Sequence, residues 1–126
     1  MFAHRLLDNL SEFEPTGVSK YPPTDLSYSK DSELIFVEVA LAGFQKEDLD
    51  IRTENNLLII SSEGIQEDDS DGVEFIQKNI ARRSFKRIIK LDNTYIGGEI
   101  KASMDDGLLT ISIKPNKSAI NQIEIA

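Results

Sequence analysis

The chain has 126 residues, 40% of them hydrophobic and 29% charged, with a formal net charge of −8. That composition suits one globular domain with a modest core and excludes a wholly disordered chain. The acidic balance argues against nonspecific nucleic-acid binding. With no cysteine, disulfides, thiol chemistry and Cys-based metal sites are excluded.

Residues 1–20 read as an N-terminal arm. Phe2, Leu6, Leu10 and Phe13 recur at helical spacing with Leu7 beside them, and Pro15 and Gly17 end the pattern. So short a helix is marginal alone in water and needs a surface to pack on. Met1–Leu10 lacks a small-residue cleavage pattern, and no run reaches the length of a membrane span. The expectation is a soluble, cytoplasmic protein.

Residues 21–114 read as a domain of short strands. Ile35, Val37, Val39 and Leu41 share one face of a strand over Glu33–Leu41. Leu49–Glu54 alternates, Leu57–Ser62 is an apolar run, and Asn55-Asn56 between them suits a two-residue hairpin turn. Ser84–Leu91 predicts another strand. Glu99–Met104 and Leu108–Ile113 form a last pair around Asp105-Asp106-Gly107. Short strands, regular turns and almost no helical period predict an all-β antiparallel sandwich.

Residues 115–126 read as an extension ending in Ile123-Glu124-Ile125. Extended backbone points both isoleucines one way and Glu124 the other. From Pro115 the chain reaches Ile123 over at most roughly 26 Å, at about 3.3 Å per residue. An apolar pair on such a leash reads as a plug for a groove, in this subunit or another.

Between the hairpin and the basic strand the charges segregate. Glu63–Glu74 holds six acids and no base, and Lys78–Lys90 six bases and no acid. A calcium loop fails on its last ligand: with Gly72 in the invariant glycine position, the bidentate carboxylate position falls on Lys78. A nucleic-acid reading fails for want of an aromatic stacking platform. Read as a strand, Ser84–Leu91 puts Arg87 on the apolar face with Phe85, Ile89 and Leu91. A guanidinium there should meet a carboxylate or several carbonyls, and a subunit interface could supply them. The sole histidine, His4, has no triad or zinc pattern near it. Gly97-Gly98 opens no helix, so it is no phosphate cradle. The inventory predicts a protein that is not an enzyme.

Four segments in order resemble the small heat-shock proteins, which are built on an α-crystallin domain. They are Ala42-Gly43-Phe44 followed by acids, Arg87 within Phe85-Lys86-Arg87, Ala102-Ser-Met-Asp-Asp-Gly107-Leu108-Leu109, and the tail Ile123-Glu124-Ile125. Ala42 and Asp92 stand where most members keep proline. Both, with Tyr21-Pro22-Pro23 and Asn56-Leu57-Leu58, make the chain similar to the bacterial inclusion-body-binding subgroup. The resemblance implies an immunoglobulin-like sandwich and ATP-independent holding of unfolding clients without a cofactor. The arm residues Phe2, Leu6, Leu7, Leu10 and Phe13 would bind clients. Dimers would form by exchange of a strand near Val73–Gln77 against the partner's Leu26–Tyr28, with Leu26, Tyr28, Phe75 and Arg87 at the interface. Ile123 and Ile125 would anchor higher homo-oligomers in a groove lined by Leu49, Ile51, Ile100 and Ala102. ATP-dependent chaperones would act downstream. The alternatives are a co-chaperone-type sandwich that docks on a large chaperone, and a structural subunit of a fixed assembly.

Overall fold

The computed structural model describes residues 20–65 and 72–117, together with Ile123 and Ile125. The arm stripe at Phe2, Leu6, Leu7, Leu10 and Phe13 lies outside the described residues, as does the centre of the acidic loop.

Seven strands form among the described residues: β1 (Thr24–Tyr28), β2 (Ile35–Ala40), β3 (Asp50–Glu54), β4 (Leu57–Ser62), β5 (Phe85–Lys90), β6 (Ile100–Asp105) and β7 (Leu108–Ile113). They make two antiparallel sheets, ordered β1-β2-β7-β6 and β3-β4-β5. The expected all-β sandwich is the observed fold. Two-residue periodicity builds it: Ile35, Val37 and Val39 of β2 and Leu109, Ile111 and Ile113 of β7 are all buried. Leu58 and Ile60 of β4, with Phe85 and Ile89 of β5, face them from the other sheet. Each such side chain contributes about 1.5–3 kcal/mol on leaving water.

The hairpins match their turn residues. Asn55 takes φ 54° between β3 and β4. Asp106 and Gly107, at φ 50° and 76°, both adopt the left-handed conformation that a tight two-residue turn needs. Several strand ends differ by one or two residues from the periodicity, and three of them have a visible cause. Glu33 is not in β2, because Glu33 donates its N–H to Ser29 O at 2.8 Å in a turn and sits at φ 62°. Leu49 instead caps a short 3-10 turn (Lys46–Asp48), where Asp48 accepts the Gln45 N–H at 2.8 Å. β6 runs one residue further, to Asp105, which pairs with Leu108.

Tyr95 locks the far end of the sandwich. It closes a second 3-10 turn (Asn93–Tyr95), is 1% exposed, and donates its hydroxyl proton to Glu33 O at 2.7 Å. Burial pushes the phenol up from its ordinary value of 10.0 to about 12, with Tyr28, Glu33 and Asp92 adding to the shift. The fold therefore favours the neutral phenol. That stability is complete below pH 10 and is lost as pH rises through about 12, because the unfolded chain releases the proton first. Denaturant titrations between neutral pH and pH 12 should show the midpoint falling from about pH 10 upward. Tyr95→Phe should flatten that fall and cost about 1 kcal/mol at neutral pH for the lost hydrogen bond. An equal alkaline slope in the variant would remove Tyr95 as its source.

Candidate functional site

The sandwich leaves four strands with one open edge each: β1 and β6 on the larger sheet, β3 and β5 on the smaller. Unpaired edge backbone is a template for another chain and needs cover. Tyr21, just before β1, brings the β1 and β5 edges to one flank. Its ring meets Phe85 edge-on at 6.0 Å between centroids, and its hydroxyl donates to Ala81 O at 2.9 Å. The Arg83 guanidinium lies 4.5 Å from the same ring. By the same topology β3 and β6 lie toward the opposite flank.

On the first flank, Leu26 and Tyr28 of β1 are half-buried against the core. Arg87 of β5 is also there, 9% exposed, on the inward face beside Phe85 and Ile89 and opposite Ile60. This is the face that alternation assigns it. The flanking Lys86 and Lys90 are exposed.

Residues 72–84 form no regular strand. They carry a run of exposed apolar side chains, with Val73 63%, Phe75 55%, Ile76 105% and Ile80 59% accessible. Lys78 covers part of the Phe75 ring, at 5.0 Å from its centroid. A cavity of about 500 Å³ lies against this run, lined in part by Ile65, Phe75, Ile80 and Arg82. The segment near Val73–Gln77 thus exposes apolar side chains and pairs with no strand in its own domain.

On the opposite flank, Leu49, Ile51, Ile100 and Met104 pack partly against the core from the two edges, with Ala102 exposed. Ile123 and Ile125 are 84% and 98% exposed. The structure therefore places the residues expected for an anchor and its groove but does not bring them together. Alternation had no means of finding Tyr21 or Tyr95, which act through hydroxyl bonds to distant backbone. Met104 was open to it, two and four residues beyond Ala102 and Ile100 on the same face of β6.

The described residues contain no group of three or more His, Cys, Asp or Glu suited to a metal ion. No helix among them is long and apolar enough to cross a membrane. Gly98 serves close packing, since a Cβ there would overlap the Lys114 carbonyl oxygen.

Two antiparallel sheets, open edges on both flanks, and apolar segments with no packing surface of their own define an α-crystallin type of sandwich. The Hsp20/alpha crystallin family model matches residues 28–126, and the chain belongs to that family. The chain is 36% identical over 96 residues to the 16 kDa heat shock protein B of Azotobacter vinelandii, covering 75% of this chain and 62% of that protein. It is 28% identical over 125 residues to the small heat shock protein IbpA of Escherichia coli, covering 96% of this chain and 87% of that one. Among solved structures, heat shock protein 16.0 from Schizosaccharomyces pombe superposes with a TM-score of 0.61 at 28% identity, over 83% of this chain and 96% of that one. These likenesses are consistent with the inclusion-body-binding subgroup and support a chaperone role.

Proposed function

We propose that this protein is an ATP-independent holdase that captures unfolding proteins in the cytoplasm and prevents their irreversible aggregation. The observation that carries the reading is the family match over residues 28–126, together with the apolar stripe Phe2, Leu6, Leu10 and Phe13 in the sequence of the arm. Exposed apolar surface on an acidic body suits capture, because the surface binds while the charge keeps complexes dispersed. Binding by burial consumes no nucleotide. Phe2, Leu6, Leu7, Leu10 and Phe13 supply the client surface. Clients then pass to ATP-dependent chaperones.

The dimer forms when residues near Val73–Gln77 pair with the open edge of β1 in a second copy. This places Phe75 over the half-buried Leu26 and Tyr28, with Arg87 beside them. Burying Phe75 and Ile76 there contributes about 1.5–3 kcal/mol each before ordering costs. The tail isoleucines then join dimers by entering the groove at Leu49, Ile51, Ile100 and Ala102.

The test is light scattering from a heat-denaturing model client without ATP. Suppression is expected at near-stoichiometric subunit ratios. Changing Phe2, Leu6, Leu10 and Phe13 to serine should weaken it while the far-UV spectrum of the β-domain is kept. Undiminished client scattering at temperatures where the protein stays folded would overturn the holdase reading in favour of a docking module.

A further inference from the structure

The chain after β7 does not leave the domain at Pro115. Lys114 still donates its N–H to Glu99 O at 2.9 Å, and Pro115 is buried. Asn116 is then held twice by the loop that leads into β6. Its backbone N–H donates to Thr94 O at 2.7 Å, and its Nδ2 donates to Ile96 O at 2.9 Å. The loop is shaped for this amide: Gly97 sits at φ +79°, and a Cβ there would come within 2.8 Å of Asn116 Nδ2. The loop is itself fixed, because Tyr95 between the two acceptor residues is buried and bonded to Glu33 O. A half-buried asparagine thus ties the root of the extension to a core-anchored turn.

We propose that Asn116 is a positioning residue that sets where the C-terminal anchor leaves the domain, and so which grooves on second copies it can reach. The proposal rests on the reading that Ile123 and Ile125 dock in another copy. With Asn116 held, Ile123 lies no more than roughly 23 Å from the pinned root, at about 3.3 Å per residue. Loss of the Nδ2 bond leaves the backbone bond to Thr94 O to hold the root. Once that opens too, the next hydrogen-bonded point is Lys114 and the limit grows to roughly 30 Å, at about 3.3 Å per residue. The accessible volume roughly doubles, so the effective concentration of each anchor at a correctly placed groove falls about twofold. That loss compounds across every tail in an assembly, and grooves at other spacings become reachable. The pin therefore selects one assembly geometry rather than adding affinity.

Native mass spectrometry of the full chain tests this. Asn116→Asp keeps the size but turns the donor into a carboxylate facing the Ile96 carbonyl. It should broaden the oligomer distribution and raise the share of small species, with the dimer retained. Asn116→Gln, which keeps an amide donor, should restore part of the wild-type distribution. A labelled peptide of residues 116–126 is titrated onto full-length chains carrying Ile123→Ala and Ile125→Ala, with and without Asn116→Asp. Its affinity should agree within twofold, showing an intact groove. A wild-type distribution for Asn116→Asp overturns the proposal, and so does a tenfold loss of peptide affinity, which would mean that Asn116 acts through the fold. If the double isoleucine variant itself keeps the wild-type mass, the tail reading fails first and the pivot falls with it.

Discussion

Replacing Ile123 and Ile125 together with alanine is expected to collapse the assembly toward dimers. Both side chains stand in solvent on the isolated chain, 84% and 98% exposed, so nearly all of their apolar area is free to be buried on docking. That burial contributes about 3–6 kcal/mol gross for the pair, before the cost of ordering the tail. Alanine removes most of it. The receiving edges keep Leu49, Ile51, Ile100 and Met104 partly packed against the core, so the groove stays formed without its plug. The dimer interface proposed for the opposite flank, at β1 and β5, is untouched by the change. On this reading each tail is weak alone and an assembly depends on many acting at once, so removing most of the gain per tail should dissolve higher species rather than merely thin them. Native mass measured at several concentrations decides it. A double variant of wild-type mass would show that the tail is a passenger.

What the sequence disclosed and what it concealed follow from the range of the forces involved. Alternation in Ile35–Val39 and Leu109–Ile113 is a local signal, because the pleat throws every second side chain into one core, and these residues are buried as that pattern requires. The turns at Asn55 and at Asp106-Gly107 are equally local, being set by which residues tolerate a left-handed backbone. Even the burial of Arg87 was legible, since its neighbours at two-residue spacing are Phe85 and Ile89. The contacts that fix the flanks were not. Tyr21 to Ala81 and Tyr95 to Glu33 join residues about sixty positions apart through single hydroxyl bonds, and no periodicity announces them. The segment 72–84 shows a different limit. Only the family resemblance implied an exchange strand near Val73–Gln77, and within one chain no open edge is paired with it. A segment that gains its strand only on pairing with a second copy, as proposed here, would show the backbone of a loop in one chain.

If Arg87 is paired with a carboxylate in a buried interface, Arg87→Ala should cost about 3–5 kcal/mol, the range for stranding one partner of a buried ion pair. The guanidinium is 9% exposed on the inward face of β5. A charge kept there needs carboxylate or carbonyl acceptors, and truncation to alanine leaves those acceptors buried while opening a void beside Ile60 and Ile89. The expected product melts well below the wild type and aggregates or misassembles. Two causes are mixed in that outcome, and Arg87→Met separates them. Methionine refills the space without the charge, so it should restore much of the melting temperature. If the guanidinium also reaches across the open β5 edge to a second copy, the methionine variant will be folded yet dissociate at higher concentration than the wild type. β5 is an edge strand, and its neighbour Tyr21 ties that edge to β1, the strand whose free side the proposed dimer would use. The methionine variant is therefore expected to be a stable domain with a weakened dimer. Wild-type melting and wild-type mass in both variants would reduce Arg87 to a tolerated charge with no part in assembly.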